Sequence, residues 1–290
     1  MASGAPRAAR LAGLARFLEI QNLGLNLPFV LAFLLTASGG WPSARDALLV
    51  VLAFVAARNA GHSFNRWADR ELDARNPRTA ERLLARSPSG GRAALGFAGA
   101  NAVLLVACAA LLSPLALALV PVALLLVLGY SYTKRFTSLT TVALGLVEAI
   151  APAGVYAGVR DALPPAAWIA AGALLAWGTA FELVHSLGDR ASDSALGLRS
   201  IPVRLGEARS LRLLPALHAV AIALLAWFGW VAALRPGYFV GLAPLAAGAA
   251  VADGWVFARP TATRRPFRMH FVLAGIFLAS VLLGLFGPMG

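Results

Sequence analysis

The chain has 290 residues, of which 59% are hydrophobic and 13% are charged, and its formal net charge is +12. So few charged side chains cannot cover the surface of a soluble globule of this length, which excludes an ordinary soluble protein. The single cysteine, Cys108, excludes an intramolecular disulfide.

Apolar stretches of about the length that crosses a bilayer recur along the chain. They predict an all-α fold, a polytopic membrane bundle of nine transmembrane helices that forms a single domain over residues 1–290. The predicted spans are roughly 17–37, 46–64, 93–112, 115–133, 139–159, 166–186, 211–233, 238–257 and 269–287. The weakest are the second, which contains Arg58, and the eighth, which contains Asp253.

Lysine and arginine residues are concentrated on one side of this predicted bundle. They occupy the tail at about 1–16 and the loops after the second, fourth, sixth and eighth spans, whereas the opposite loops carry only Arg45, Arg160 and Arg235. The positive-inside rule therefore predicts a cytoplasmic N-terminus and an external C-terminus. Membrane topology explains the basic charge, so that nucleic-acid binding is not needed to account for it.

The first long polar loop, at about 65–92, opens with three oxygen-bearing side chains at intervals of four. Asn65, Asp69 and Asp73 would lie along one stripe if the chain is helical there. This loop follows the second predicted span, so the stripe would lie at the cytoplasmic face.

The second long polar loop, at about 187–210, repeats this pattern with Asp189 and Asp193. Two facing carboxylate stripes give the oxygen-rich site that Mg²⁺ prefers, since this ion keeps waters and shares the phosphate oxygens of its ligand. The surrounding cations suit phosphate charge; they are Arg66, Arg70, Arg78, Arg82, Lys134, Arg135, Arg190, Arg199 and Arg204. The alternative is a pair of solvated loops whose acids only pair with nearby arginines. The matched spacing favours a site that binds diphosphate through Mg²⁺.

These residues resemble the signatures of the UbiA superfamily of intramembrane prenyltransferases. The first signature, N-x-x-x-D-x-x-x-D, is met by Asn65, Asp69 and Asp73. The second, D-x-x-x-D-x-x-x-G-x-x-S, is met by residues of the other polar loop, namely Asp189, Asp193, Gly197 and Ser200. The stretch from Tyr130 to Arg135 is similar too. The resemblance covers nearly the whole chain and is strongest to the bacterial 4-hydroxybenzoate polyprenyltransferases, including the branch associated with the futalosine route to menaquinone.

The resemblance implies transfer of a polyprenyl group from polyprenyl diphosphate to an aromatic acid in ubiquinone or menaquinone biosynthesis. The chain would lie in a bacterial plasma membrane, with an apolar groove for the prenyl tail. The implied ligands of Mg²⁺ are Asn65, Asp69, Asp73, Asp189 and Asp193. Lys134 and Arg135 would stabilise the departing diphosphate, with Arg66 and Arg199 as further substrate-binding residues.

Two residues are candidates for the acceptor site. Arg58 lies seven residues before Asn65 on the same helical face, where the resemblance implies contact with the acceptor's carboxylate; an arginine that extends to the interface is the alternative. Tyr130 lies four residues before Lys134 and would orient substrate, unless it is an interfacial tyrosine.

The chain departs from the family pattern in two segments. Glu81–Ser87 replaces a proline-rich turn, and Glu182, His185 and Gly188 replace other residue types near the second signature. These departures leave open a diverged enzyme with a different acceptor.

Two other classes compete with a prenyltransferase. A CDP-alcohol phosphotransferase would need a single motif with clustered aspartates, whereas this chain has two distant clusters. A transporter is favoured by acids within the spans, namely Glu148, Glu182 and Asp253. Against transport, the conspicuous carboxylates lie at one face of the predicted bundle.

Overall fold

The computed structural model describes residues 23–76, 79–86 and 90–288, and every regular element in these ranges is a helix. The long helices are α1 (Leu23–Ser38), α2 (Ala44–Ala68), α5 (Gly91–Leu112), α6 (Pro114–Thr133), α7 (Thr140–Arg160), α8 (Pro165–Ala195), α10 (Glu207–Val231), α11 (Pro236–Ala258) and α12 (Arg264–Phe286). The short helices are α3 (Arg70–Arg75), α4 (Leu83–Arg86) and α9 (Ile201–Leu205).

Eight of the long helices are long and apolar enough to cross a membrane, and they match the second to ninth predicted spans. The first predicted span, at 17–37, corresponds to α1, which has 16 residues. Residues 17–22 and the predicted tail at 1–16 lie outside the described ranges. The all-helical architecture is confirmed, and the count of nine transmembrane helices stays a prediction.

The outer surface of the bundle is apolar. Leu125, Trp230 and Val240 are 72%, 79% and 70% exposed, and they belong to three different helices. Large apolar side chains are costly to expose to water over a wide surface, so this surface is suited to lipid.

Aromatic packing joins α1 to α10 and α12. Phe33 of α1 meets Phe228 of α10 with ring centroids 5.6 Å apart, and Phe277 of α12 at the same separation. Because all three rings are fully buried, this cluster fixes one side of the bundle.

Glycines allow the helices of the other side to approach closely. A Cβ atom at Gly61 of α2 would overlap the side chain of Val127 on α6. Gly145 of α7 and Gly178 of α8 face each other in the same way, since a Cβ at Gly178 would lie 3.1 Å from the Cα of Gly145. Contacts between small residues are the usual means of close helix packing in membranes.

The two polar loops are more helical than predicted. Helix α2 continues through Asn65 to Ala68, and α8 continues past residue 187 to Ala195, so that Asp189 and Asp193 lie on a helix rather than in a loop. With 31 residues, α8 is about 46 Å long at 1.5 Å per residue, which exceeds the hydrocarbon thickness of a bilayer. Its polar last turns can therefore remain helical beyond the apolar layer. Gly197, at φ +67, ends this segment because it adopts a left-handed conformation.

Candidate active site

A cavity of about 1180 Å³ runs through one side of the bundle. It is lined by α1–α3 and α5–α8, with the beginning of α12 at one end. At that end, which we call the acidic end, its wall carries Asp69, Asp73, Asp189 and Asp193. The two predicted carboxylate motifs therefore face one shared cavity.

Away from the acidic end the cavity wall is mostly apolar and reaches the outside of the bundle. Val122 of α6, Leu146 of α7 and Trp168 of α8 line the cavity and are also exposed on the outer surface. The cavity thus opens sideways, where a lipid tail can enter.

The first motif spans a break between two helices. Asp69 ends α2 with φ −97 and ψ 2, and α3 begins at the next residue. The backbone N–H of Asp69 still donates to Asn65, and that of Asp73 donates to Asp69, at 2.9 and 2.7 Å. The spacing of four is therefore maintained across the break, which explains why all three side chains line the cavity.

Asp69 is buried, and several donors surround its carboxylate. The Nζ of Lys134 lies 2.7 Å from Oδ2, and the guanidinium of Arg135 lies 3.3 Å from Oδ1. Asn65 donates through Nδ2 to Oδ2 at 3.0 Å and also contacts Ser131 of α6 at 3.3 Å. In this orientation the Oδ1 atom is the part of Asn65 that could bind a cation.

Asp73 has its own pair of arginines. Arg82 lies 2.8 Å from Oδ1, and Arg66 lies 4.0 Å from Oδ2. The backbone carbonyl of Asp73 accepts from the hydroxyl of Thr79 at 3.1 Å. The segment that departs from the family pattern therefore supplies, through Arg82, a cation to the first motif.

The second motif lies on the last turns of α8, where Asp189 and Asp193 are one turn apart. Gly188, one of the departures, lies beside α12: a Cβ atom there would be 2.9 Å from a methyl carbon of Thr263. The glycine therefore allows the beginning of α12 to close over this end of the cavity.

A backbone and a side-chain hydrogen bond of Arg199 connect the second motif to the end of α6. The N–H of Arg199 donates to the carbonyl of Lys134 at 2.8 Å, and its guanidinium donates to the carbonyl of Phe136 at 2.6 Å. Arg199 and Lys134 both line the cavity. Two predicted cations from distant parts of the sequence thus meet at the acidic end.

Arg58 and Tyr130 also line the cavity; Arg58 lies on α2 eleven residues before Asp69, and Tyr130 lies on α6 four residues before Lys134. Arg135 is not among the described residues that line the cavity, and its role toward the diphosphate stays a prediction. Its guanidinium lies 4.8 Å from the ring centre of Tyr132 and donates to the carbonyl of Ala68 at 2.6 Å. These contacts fix Arg135 beside Asp69, whose carboxylate it pairs with at 3.3 Å.

No group of three acidic, histidine or cysteine side chains in the described ranges is close enough to enclose a metal ion by itself. The carboxylates instead line one end of a single cavity. Such an arrangement of hard oxygen donors fits Mg²⁺, which takes one or two carboxylates and completes its coordination with water and phosphate oxygens.

Two contacts within the site were not predicted from the sequence. Arg82 reaches Asp73 only because the chain folds back after α3, and no sequence spacing reveals that turn. Glu148 lines the cavity and accepts from Asn26 of α1, with Nδ2 2.9 Å from both carboxylate oxygens. The signal for this pair was two polar residues within apolar spans.

Comparison with known proteins identifies the family. Residues 26–284 match the model of the UbiA prenyltransferase family. A 4-hydroxybenzoate octaprenyltransferase from Ralstonia nicotianae is 30% identical over 251 residues, which cover 85% of this chain and 86% of the relative. One from Azoarcus sp. is 32% identical over 232 residues, with 80% of each chain covered.

Solved structures share the fold. The apo structure of a UbiA homolog from Aeropyrum pernix K1 has a TM-score of 0.81 and 28% identity, over 91% of this chain and 98% of that one. A UbiA homolog from Archaeoglobus fulgidus bound to GPP and Mg²⁺ has a TM-score of 0.75 and 20% identity, over 94% and 99%. Together with the apolar helices, these matches establish that the chain belongs to the UbiA prenyltransferase family and is an integral membrane enzyme that transfers prenyl groups.

Proposed function

We propose that this enzyme transfers a polyprenyl group from polyprenyl diphosphate to an aromatic acid of the 4-hydroxybenzoate or dihydroxynaphthoate type, with Mg²⁺ as cofactor. Its product would serve ubiquinone or menaquinone biosynthesis. The observation that carries the proposal is the polarity of the cavity, which has carboxylates and cations at one end and an apolar wall that opens sideways. A molecule with a diphosphate head and a long hydrocarbon tail matches both halves.

The metal would be held by the oxygen atoms of both motifs, namely those of Asn65, Asp69, Asp73, Asp189 and Asp193. When bound, Mg²⁺ supplies positive charge to the diphosphate oxygens. The homolog from A. fulgidus that was solved with GPP and Mg²⁺ supports this assignment by its shared fold.

The cations of the acidic end would bind the rest of the diphosphate charge. Lys134, Arg82 and Arg66 contact motif carboxylates, and they line the cavity together with Arg199. As the bond between the prenyl carbon and the diphosphate oxygen breaks, negative charge develops on that oxygen. A cation already fixed beside it stabilises this charge without having to reorganise, which is the main source of electrostatic catalysis.

The acceptor would approach from the interior of the cavity. Its ring carbon attacks the prenyl carbon, a C–C bond replaces the C–O bond, and the ring carbon then loses its proton. Arg58 is positioned on α2 to bind the acceptor's carboxylate, and Tyr130 on α6 to orient it. Relatives named 4-hydroxybenzoate octaprenyltransferase support this acceptor class.

The intramembrane acids that favoured a transporter lie in two separate places in the structure. Glu148 and Glu182 line the cavity, whereas Asp253 pairs with His218 outside it, at 2.9 Å. The intramembrane acids therefore form no continuous path, and transport receives no support from them.

The direct test supplies isotope-labelled prenyl diphosphates and a panel of aromatic acids to the full-length protein in nanodiscs, with products identified by mass spectrometry. We expect transfer that depends on Mg²⁺ and is lost on chelation. Asp69→Ala and Asp189→Ala should each reduce turnover at least tenfold, since ligand loss typically costs about 10–100-fold even in outer shells. The control is Asp46→Ala, since Asp46 is an acid in the first turn of α2 and pairs with exposed Arg45. Full activity in both motif variants would contradict the metal assignment.

A further inference from the structure

Glu148 is a carboxylic acid within a membrane-spanning helix, and the steps described above do not use it. It lies on α7, eight residues after Thr140, and lines the cavity. At 1.5 Å per residue it is about 12 Å along the helix from that end. An ionisable group at such a depth is expensive to maintain and usually serves a substrate or ion path.

The neighbouring helices are shaped to hold this side chain. A Cβ atom at Gly178 of α8 would lie 2.8 Å from the Cγ of Glu148, so only glycine leaves room for the acid's stem. From the other side, Asn26 of α1 donates to both carboxylate oxygens at 2.9 Å. Three helices therefore fix one carboxylate against the cavity wall.

The carboxylate retains hydrogen-bonding capacity after this contact. Its two oxygens offer about four acceptor sites, and one amide nitrogen cannot fill them. Among the described side chains, Asn26 is the one that donates to Glu148. Because Glu148 lines the cavity, a hydrogen-bond donor on a ligand can reach the remaining lone pairs.

Arg58 supplies the opposite charge in the same cavity. It lies on α2, lines the cavity and is close enough to Glu148 to interact with it electrostatically. An aromatic ring that carries an acid group and a hydroxyl group would match these two residues. The guanidinium of Arg58 would bind the ligand's carboxylate, and the carboxylate of Glu148 would accept a hydrogen bond from the ligand's hydroxyl group. Reversing the ring would bring two carboxylates together and is therefore excluded.

We propose that Glu148 is a specificity-determining residue of the acceptor site, where it accepts a hydrogen bond from a ring hydroxyl group of the acceptor. This inference rests on the proposed transfer to an aromatic acid and adds which ring substituent is recognised. A hydrogen bond from a phenol to a carboxylate also increases the electron density of the ring carbons next to the hydroxyl. The hydroxyl proton stays on its oxygen, so no additional bond changes are required.

The test compares 4-hydroxybenzoate with 4-methoxybenzoate, which keeps the carboxylate but has no donor. Dissociation constants are measured with full-length protein loaded with an unreactive prenyl thiodiphosphate, and prenyl transfer is assayed separately. Wild-type protein should bind the hydroxy acid about 10–100-fold more tightly, the range expected for a hydrogen bond to a charged group. Glu148→Leu should reduce the preference to about threefold or less, and Glu148→Gln to an intermediate value, because the neutral amide is the weaker acceptor.

Asp253→Asn is the matched control, since this acid lies on a membrane-spanning helix outside the cavity. It should leave the preference unchanged, and no variant should alter binding of the thiodiphosphate. An unchanged preference in folded Glu148→Gln, or an equal loss for both acids, would overturn the assignment of Glu148 alone. Failure of the wild-type protein to transfer a prenyl group to any aromatic acid would instead overturn the proposed function.

Discussion

Lys134 and Asp69 form a close ion pair at the acidic end, with Nζ 2.7 Å from Oδ2. The carboxylate is almost fully buried, and the lysine, at the end of α6, is about one-quarter exposed. A cation that contacts a proposed metal ligand and also lines the cavity can respond to both the metal and the diphosphate. This relationship connects the first motif on α2 to the end of α6.

Lys134→Met should therefore decrease kcat strongly while the protein remains folded. Removing one preorganised donor from developing charge costs about 10²–10³-fold in kcat in well-studied enzymes. Lys134→Arg should recover part of the rate, since it retains the charge but changes its geometry. Single-turnover rates with saturating substrates would measure the effect, and an unchanged rate in Lys134→Met would remove the lysine from the reaction.

Arg82 offers a sharper comparison, because the chain contains a similar arginine nearby. Arg82→Ala should weaken binding of the prenyl diphosphate about tenfold or more, since it leaves the buried carboxylate of Asp73 with Arg66 at 4.0 Å as its remaining ion-pair partner. The control is Arg70→Ala, which removes a partner of Glu71, a residue whose side chain is 78% exposed. Surface pairs of that kind contribute little, about 0–1 kcal/mol. Equal effects of the two substitutions on prenyl diphosphate binding would show that Arg82 has no special role.

The sequence predicts the structure best where two factors determine it: the lipid around the helices and the spacing of residues within one helix. Apolar runs identify eight helices, because lipid forces the backbone to satisfy its hydrogen bonds within each span. The intervals of four in both motifs likewise predict that the members of each motif share one face. The length of α8 was underestimated, since a polar sequence at the end of a span does not distinguish a loop from a helix that extends beyond the apolar layer.

The remaining features depend on contacts between distant segments. Arg135 is predicted to stabilise the diphosphate, and the structure adds its contacts with Tyr132 and the carbonyl of Ala68, which no spacing in the sequence indicates. Gly178 accommodates the stem of Glu148 from another helix. Side-chain direction at the end of a helix and the fit of one helix against another are tertiary properties, which spacing along one segment does not encode.

The orientation of the bundle is a separate prediction, drawn from the distribution of basic residues. Trp41 is 75% exposed between α1 and α2, and Phe136 is 61% exposed after α6, near the acidic end. In a Cys108→Ala background, a membrane-impermeant thiol reagent should label Trp41→Cys in intact cells but label Phe136→Cys only after permeabilisation. The reverse pattern would put the acidic end outside the cell.

A buried pair outside the cavity should matter for stability rather than for activity. Nδ1 of His218 lies 2.9 Å from Oδ1 of Asp253, and both side chains are less than 10% exposed. His218→Ala leaves the buried side chain of Asp253 without this hydrogen-bond partner, which typically costs about 1–3 kcal/mol. Thermal unfolding in detergent should show a clear decrease in Tm for His218→Ala. Arg190→Ala should leave Tm nearly unchanged, because Arg190 forms an exposed pair with Glu207 at 3.8 Å. Comparable Tm values for both variants would contradict the expected contribution of the buried pair.

Arg58 is the residue that most directly tests how the acceptor is bound. If its guanidinium holds the acceptor's carboxylate in a partly dehydrated cavity, Arg58→Ala should raise the acceptor's KM and leave the KM for the prenyl diphosphate near its wild-type value. Loss of one partner of a buried charge pair costs about 2–5 kcal/mol.

Arg58→Lys should restore only part of this affinity, since lysine lacks the two-pronged geometry that matches a carboxylate. Steady-state kinetics with each substrate varied in turn would separate the two KM values, and an aromatic substrate without its acid group should be insensitive to the substitution. A variant that weakens both substrates equally would make Arg58 a structural residue. The carboxylate would then be bound by another cation of the cavity wall, and Arg66, one turn further toward the acidic end than His62, would be the next residue to replace.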